Sequence, residues 1–348
     1  MPTFSTDQLR DIARRILESA GSQPDEADIV AGELAEANLV GHDSHGIIRL
    51  KQYADYIEQG HIDPRGAVEI VLELPAMSVI DGHNNFGQLI ASKALDVAFR
   101  GAKQSGAHTV FCRNCNHVGR VGSYTLKAAR AGYVALMAVN GPGGGGTAPW
   151  GGLDRRLGTN PISMASPWGD DAILLDMTTS ITAEGKIRVA HQKGETLAEG
   201  MIIDSAGRPT TNPADYYRDP MGAILPLGGA MGFKGYGMSV MLDVFGGILS
   251  GAGTGRKDLP LGTNGVWLQV IDVEQLMPRE EFDAAIEHYV DWIKSSRKAP
   301  GIDEILMPGE IESRRREQRV RDGVEVPDGT WKQTCDLAER LGASLEGI

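Results

Sequence analysis

The segment from residue 41 to residue 50 reads Gly41-His42-Asp43-Ser44-His45-Gly46-Ile47-Ile48-Arg49-Leu50. His45 and Arg49 are four residues apart, so their side chains project from one face if this segment is helical. An imidazole can move a proton and a guanidinium can bind a carboxylate, a combination that suits 2-oxo and 2-hydroxy acids. Asp43 or another carboxylate could fix the tautomer of His45. The segment is therefore the first candidate for an active site.

Composition narrows the classes of protein to consider. The chain has 348 residues, of which 41% are hydrophobic, enough for two or three domains. A net charge of −12 argues against nucleic acid or an anionic membrane as the main partner. No apolar run approaches the ~18 residues of a membrane span, no signal peptide is visible, and three cysteines favour a reducing compartment. We therefore expect a cytoplasmic protein whose partner is a small molecule.

Helical periodicity dominates both ends of the chain. After a first N-terminal helix, further helices are predicted from about Pro24 to Gly41 and from about His45 to Gln59. The charged tail from Glu310 onwards is also predicted to be helical. We expect residues 1–65 and the C-terminal helices of 300–348 to form one helical domain.

The residues between 66 and 299 mix strand and helix patterns. Strand candidates rich in Val, Ile and Leu lie at 67–73, 78–81, 108–112, 134–139, 162–166, 172–176 and 265–272. Helices are predicted at 87–105, 120–131, 234–251 and 280–296. Residues 205–232 have no periodicity, and loops of that length are usually functional. The prediction is a mixed α/β domain over 66–299, with a mixed sheet, that binds cofactor and substrate.

One glycine run imitates a dinucleotide-binding fingerprint. Gly141-Pro142-Gly143-Gly144-Gly145-Gly146 satisfies G-x-G-x-x-G and follows an apolar strand. The fingerprint also requires a helix that begins at its third glycine. Here Thr147-Ala148-Pro149 follows, which does not sustain a helix. We therefore interpret the run as a loop beside a pocket and expect any nicotinamide to be held by a fold other than the Rossmann fold.

The opening segment and six later blocks resemble the malate/L-lactate dehydrogenase family, which includes ureidoglycolate dehydrogenase, 2,3-diketogulonate reductase and hydroxycarboxylate dehydrogenase B. The blocks are Asn116–Gly122, Gly158–Pro161, Leu174–Ser180, Gly185–Ala190, Phe233–Gly237 and Met307–Glu310. They occur in the order of the family and cover nearly the whole chain. The resemblance implies a non-Rossmann nicotinamide-binding fold, a homodimer, and sites close to the subunit boundary.

The resemblance also implies roles for individual residues. It places the proton-transfer histidine at His45 and a second active-site histidine at His117, and it leaves open which is the principal acid or base. Arg49 is the natural carboxylate clamp. The implied cofactor-binding residues are Gly119, Leu175, Asp176, Met177, Thr178, Phe233, Lys234, Gly309 and Glu310. The cofactor is NAD or NADP, and no fingerprint decides between them.

Rival interpretations remain open at this point. On the same scaffold, reduction of a cyclic imino acid needs the same hydride and proton. From another class, a histidine and a carboxylate could serve a hydrolase or lyase without nicotinamide. The pair Cys112 and Cys115 and the pair His42 and His45 both lack the further ligands of a metal site, so no metal is expected. The sequence favours an NAD(P)-dependent oxidoreductase that interconverts a small 2-hydroxy carboxylate and its 2-oxo acid.

Overall fold

The fold was analysed in a computed structural model that describes residues 1–256, 258–260 and 262–347, apart from the side chain of Gln192. The α-helices are α1 (Thr6–Ser19), α2 (Pro24–Leu39), α3 (Leu50–Glu58), α4 (Gly87–Ser105), α5 (Gly122–Arg130), α6 (Glu184–Lys193), α7 (Ala214–Tyr217), α8 (Phe233–Leu242), α9 (Arg279–Lys294), α10 (Glu310–Asp322) and α11 (Asp328–Leu341). The strands are β1 (Thr3–Phe4), β2 (Glu69–Leu74), β3 (Met77–Asp81), β4 (Ala107–Cys115), β5 (Tyr133–Asn140), β6 (Ile162–Trp168), β7 (Asp171–Met177), β8 (Ile202–Ile203), β9 (Pro209–Thr210), β10 (Ala223–Ile224), β11 (Asn264–Asp272) and β12 (Val324–Glu325).

A seven-stranded mixed sheet forms the centre of the molecule. Its strand order is β2-β3-β4-β11-β5-β6-β7. Strands β3 and β4 pair in parallel, and the other neighbours pair antiparallel. Strand β5 leads into the glycine run 141–146, which continues into an isolated bridge at Thr147 and not into a helix. The mixed α/β class is thereby confirmed, and the glycine run has no Rossmann context.

Two apolar clusters hold the molecule together. One contains buried side chains of α4, α5 and the central strands, among them Ile90, Tyr124 and Leu268. The other joins the N-terminal helices to the C-terminal end of the chain, where Val324 and Leu337 are buried with them. The division into domains at residues 65 and 300 stays a prediction. Within the described residues, no helix is long and apolar enough to cross a membrane.

The helix predicted from about His45 to Gln59 is wrong in its first turn. The α-helix α3 begins only at Leu50, and two 3₁₀ turns precede it, Asp43–His45 and Ile47–Arg49. Gly46 separates them in an extended conformation, with φ −86° and ψ −153°. The cause is the buried side chain of Asn38, whose Oδ1 accepts the amide of Ile47 at 2.9 Å and so competes with helical hydrogen bonding.

Two further regions differ from the prediction, residues 184–193 and residues 205–232. Helix α6 had no counterpart in it, and the aperiodic stretch 205–232 contains β9, α7 and β10. Strands β9 and β10 flank β8 in a small three-stranded sheet. Strands of two residues carry too little alternation to be recognised from the sequence, because their pairing is set by tertiary contacts.

Gly46 provides a test of this turn. A Cβ at residue 46 would lie 2.0 Å from Oδ1 of Asn38, so Gly46→Ala must displace the amide that shapes the turn. We expect the free energy of unfolding to fall by about 1–3 kcal/mol, measured by urea denaturation. The control is Gly329→Ala, an exposed helical glycine with open space around it, which should be neutral or slightly stabilising. Equal stability of the two variants would contradict the role assigned to Asn38.

Candidate active site

Four side chains form a continuous hydrogen-bonded chain that ends at His45. The amide Nε2 of Gln88 donates to the hydroxyl of Tyr53 at 2.6 Å, and that hydroxyl lies 2.7 Å from Nδ1 of His117. Nε2 of His117 lies 3.2 Å from Nδ1 of His45, with the two rings nearly parallel. The fold therefore brings together the two histidines predicted from the sequence, although they are 72 residues apart.

In the neutral chain, the hydrogen bonds favour one tautomer for each ring. The Tyr53 hydroxyl accepts from Gln88 with its oxygen, so its own proton is available to Nδ1 of His117. Neutral His117 then carries its proton on Nε2 and donates it to Nδ1 of His45. His45 is left with its proton on Nε2. Tyr53 and Gln88 were not identified from the sequence, since neither belongs to a recognisable motif.

Burial keeps this chain electrically neutral. It lowers the pKa of His45 to about 3, with a further contribution from the positive charge of Arg49. Burial likewise lowers the pKa of His117 well below its ordinary value. It raises the pKa of Tyr53 to about 12. Both imidazoles are therefore neutral near neutral pH, so each can donate at one nitrogen and accept at the other.

Arg49 is held next to the histidines by neutral groups. Its Nε donates to the carbonyl oxygen of Ser44 at 2.7 Å, and its Nη1 donates to Oε1 of Gln52 at 2.7 Å. Neither partner carries a negative charge, and burial lowers the pKa of the guanidinium. A partly buried cation fixed by neutral acceptors is suited to bind an anion from outside the protein.

Asp43 does not take the role expected for it. Its Oδ1 accepts from Nδ2 of Asn38 at 2.8 Å and from Nη1 of Arg319 at 2.9 Å. The carboxylate therefore anchors the first 3₁₀ turn to α2 and α10, whereas His117 orients His45. The prediction that Asp43 could fix the tautomer of His45 is corrected accordingly.

Three of the sequence blocks implicated in cofactor binding converge at the end of β7. Oδ2 of Asp176 accepts the amide of Gly122 at 3.0 Å and lies 3.4 Å from Nε of Arg120. The amide of Leu174 donates to the carbonyl of Pro308 at 2.9 Å. Gly309, the residue after Pro308, packs against the same part of β7, because a Cβ added to Gly309 would lie only 2.9 Å from Cβ of Leu174. Gly119, the β7 residues Leu175, Asp176 and Met177, and Gly309 thus belong to one region.

Arg120 is a residue that the sequence reasoning missed. Its side chain is 1% exposed, and Nε, Nη1 and Nη2 all lack a hydrogen-bond partner among the described residues. Burial raises the pKa of its neighbour Asp176, while Arg120 opposes that effect. Asp176 forms an ion pair with this guanidinium at 3.4 Å, but none of the three nitrogens makes a hydrogen bond, an arrangement that is costly unless an acceptor binds there. The signal was available, because Arg120 directly follows Gly119 in the block Asn116–Gly122.

The remaining cofactor candidates differ in how free their side chains are. The carboxylate of Glu310 accepts the amide of Met307 at 2.5 Å and Nζ of Lys294 at 2.8 Å, so it already has two partners. Thr178 donates its hydroxyl to the carbonyl of Ser180 at 2.9 Å. Phe233 and Lys234 begin α8, and both are exposed.

Helix α8 is linked to the β7 region through the backbone. A Cβ on Gly235 would lie 2.3 Å from the carbonyl oxygen of Leu227, so the two segments touch. The amide of Leu227 in turn donates to the carbonyl of Thr179 at 2.9 Å. The start of α8 therefore adjoins the residues that follow β7.

The two cysteines of the C-x-x-C pair, Cys112 and Cys115, are buried in β4, and burial raises the pKa of both thiols.

The sequence profile of the malate/L-lactate dehydrogenase family matches residues 4–334, and the chain belongs to this family. It is 37% identical to malate dehydrogenase of Pyrococcus horikoshii, over 98% of this chain and 96% of that protein. It is 35% identical to hydroxycarboxylate dehydrogenase B of Escherichia coli K12, over 99% and 96% of the two chains. The structure also resembles that of delta1-piperideine-2-carboxylate reductase from Pseudomonas syringae, with a TM-score of 0.86 and 27% identity over 97% of this chain and 100% of that one.

The buried histidines predict a pH-dependent stability. On unfolding, the pKa values of His45 and His117 return to about 6.5, so below that pH the unfolded chain binds protons that the folded chain does not. The free energy of unfolding should therefore fall as the pH is lowered from about 7 to about 5. Urea denaturation at several pH values should show a smaller fall for His117→Gln than for the control His288→Gln, which removes an exposed histidine of α9. Identical pH dependence in both variants would refute the assignment.

Proposed function

We propose that this protein is an NAD(P)-dependent oxidoreductase that interconverts a small 2-hydroxy carboxylate and its 2-oxo acid. The observation that carries the proposal is the pairing of a neutral, oriented His45 with Arg49, a partly buried cation whose side-chain hydrogen bonds to Ser44 and Gln52 go to uncharged oxygens. Reduction of a 2-oxo acid needs a donor at the carbonyl oxygen and a cation at the carboxylate. The family takes its name from malate and L-lactate dehydrogenase, and the relative from Pyrococcus horikoshii is named malate dehydrogenase, which supports the proposal.

Each residue of the pair has one task. Arg49 binds the substrate carboxylate through its guanidinium, and Nε2 of His45 donates a hydrogen bond to the carbonyl oxygen. A bound nicotinamide supplies the hydride in reduction and accepts it in oxidation. Burial is the main cause of the lowered pKa of His45, and the negative charge of the carboxylate offsets only the lesser contribution, the repulsion that Arg49 exerts on a protonated His45.

The hydrogen-bonded chain accommodates both charge states of His45. When His45 carries protons on both nitrogens, its Nδ1 donates to Nε2 of His117. His117 is then the other neutral tautomer, with its single proton on Nδ1, and the oxygen of Tyr53 accepts from both His117 and Gln88. Both hydrogen bonds persist with reversed direction, because imidazole and phenol each donate and accept. His117 is therefore proposed as the partner that orients His45, and His45 as the group that exchanges a proton with the substrate.

The coenzyme, NAD or NADP, is proposed to bind at the end of β7. Arg120 fits this role, since its buried nitrogens make no hydrogen bond among the described residues and a phosphate oxygen is the kind of acceptor they require. Gly119 and Gly309 belong to the same region, Lys234 supplies a further donor nearby, and the hydroxyl oxygen of Thr178, whose proton is donated to Ser180, remains an acceptor. Leu175, Met177 and Phe233 would provide apolar contacts, whereas the partners of Glu310 favour a supporting role for it.

Reduction of a cyclic imino acid is a second candidate. The structural likeness to a piperideine-carboxylate reductase favours it. Such a substrate presents a carboxylate next to a C=N bond, so Arg49 and His45 would keep the same tasks. The two candidates differ only in whether nitrogen or oxygen receives the proton, and a panel that contains both substrate types separates them.

We also propose a cytoplasmic homodimer with an interface on α8 and the π-helical turn that follows it. Several large apolar side chains are exposed there: Met231, Phe233, Met238, Met241, Ile248 and Leu249. An exposed apolar surface of this kind usually marks an interaction site. Because it begins at Phe233 and Lys234, the interface would lie close to the coenzyme.

Turnover assays test the proposal directly. The purified protein is mixed with NADH or NADPH and a panel of 2-oxo acids and cyclic imino acids, and oxidation of the reduced nicotinamide is followed by absorbance. We expect His45→Ala to lower kcat by about 100-fold or more while the thermal shift caused by coenzyme is retained. His288→Ala is the control. The absence of turnover with every pairing would refute the oxidoreductase, and an active His45→Ala variant would refute the proton donor.

Coenzyme binding tests Arg120. Arg120→Met removes a charged group whose three nitrogens are buried, so we expect the Kd for coenzyme to rise by about tenfold or more and the thermal shift to shrink. Arg100→Met is the matched control, because Arg100 pairs with Glu73 at 2.9 Å on the outer strand β2 of the sheet. Unchanged affinity in Arg120→Met, or an equal loss in Arg100→Met, would contradict the assignment.

A further inference from the structure

A second cationic group lies beside the proposed carboxylate clamp. At the start of α6, the carboxylate of Glu184 accepts from Nε of Arg188 at 3.2 Å and from its Nη2. The hydroxyl of Tyr217, at the end of α7, donates to Oε1 of Glu184 at 2.7 Å. The three side chains form one cluster, which none of the roles assigned above uses.

The position of α6 brings this cluster next to Arg49. A Cβ on Gly185 would lie 3.5 Å from Cβ of Ser44, so the first turn of α6 packs against the first 3₁₀ turn. The carbonyl of the same Ser44 accepts from Arg49. Burial is the main cause of the lowered pKa of Arg49, but Arg188 lowers it further and Glu184 raises it, so both charges are within electrostatic range.

From this arrangement we infer that Arg188 determines substrate specificity, by binding an acidic group at the end of the substrate farthest from the reacting carbon. The acidic group is a second carboxylate or a sulfonate. The inference rests on the proposed function, because it assumes that Arg49 holds the carboxylate adjacent to the reacting carbon. Arg188 is then the second of two cations, each of which binds one end of a short dianion.

Glu184 and Tyr217 prepare Arg188 for this task. Burial opposes ionisation of Glu184, yet the hydrogen bonds from Arg188 and Tyr217 outweigh it and lower the pKa of the carboxyl. The ionised carboxylate engages the Nε and Nη2 edge of the guanidinium, which leaves the Nη1 edge for another acceptor. A guanidinium held in place loses less side-chain entropy when a ligand binds.

The solvent exposure of Arg188 limits how much this residue can contribute to substrate selectivity. The side chain of Arg188 is 48% exposed, so water and salt screen its charge. We therefore expect a selectivity of about tenfold and not several orders of magnitude. A substrate that ends in a methyl group makes no contact that needs Arg188, so its turnover should be independent of this residue.

The test compares two 2-oxo acids, oxaloacetate and pyruvate, in the full-length protein with its preferred coenzyme. For Arg188→Gln we expect the ratio of kcat/KM for oxaloacetate to that for pyruvate to fall by about tenfold, mainly through KM. Arg188→Lys keeps the positive charge but not the planar guanidinium, so this ratio should fall less than in Arg188→Gln. In the wild type, the ratio should fall as ionic strength rises. The matched control is Arg208→Gln, since Arg208 also pairs with an acid four residues away, Asp204.

The outcomes separate this inference from the function on which it rests. If the wild type reduces neither acid with either coenzyme, the proposed function fails and the inference with it. If the wild type reduces both acids but Arg188→Gln leaves their ratio unchanged, or lowers both rates equally, only the inference is overturned. A melting temperature equal to that of the wild type excludes misfolding of the variant. An equal change of the ratio in Arg208→Gln would also overturn it.

Discussion

The buried amide of Asn38 determines the geometry on which the candidate site depends. Its oxygen binds the amide of Ile47, and its nitrogen binds the carboxylate of Asp43. These two hydrogen bonds divide residues 43–49 into two 3₁₀ turns and leave no room for a side chain at Gly46. As a result, His45 meets His117, while Arg49 folds back onto the carbonyl of Ser44. A continuous helix would give these two side chains different neighbours.

The elements that the sequence predicted well are those with strong local periodicity. The central strands and helices α4 and α5 lie within a few residues of their predicted positions, because alternation and helical spacing reflect which face is buried. The glycine run 141–146 was also interpreted correctly, since the absence of a following helix is a local property. Local patterns were less informative where a distant side chain decides the backbone, as Asn38 does at Gly46.

The residues of the candidate site also fall into those that the sequence predicted and those that only the folded structure reveals. His117 was found because its block resembles a known family, whereas His45 and Arg49 were also singled out by their spacing and chemistry. The fold places all three together. Arg120 was missed because nothing in its residue type distinguishes a buried guanidinium from a surface one. Tyr53 and Gln88 were missed for a similar reason, as their partnership with His117 exists only in the folded chain. Hydrogen bonds across 64 and 35 residues leave no pattern in a single sequence.

Charge explains why these residues form a site at all. The chain carries a net charge of −12, so its overall field repels the anions that it is proposed to bind. Attraction must therefore come from short-range groups, and two arginines serve that purpose in different surroundings. Arg49 is partly buried among neutral acceptors next to neutral histidines, so water screens its charge less than that of a fully exposed group. Arg188 is exposed, and its charge is screened more strongly. In the proposed mechanism, the less exposed residues therefore act at the reacting carbon, and the exposed arginine discriminates between substrates.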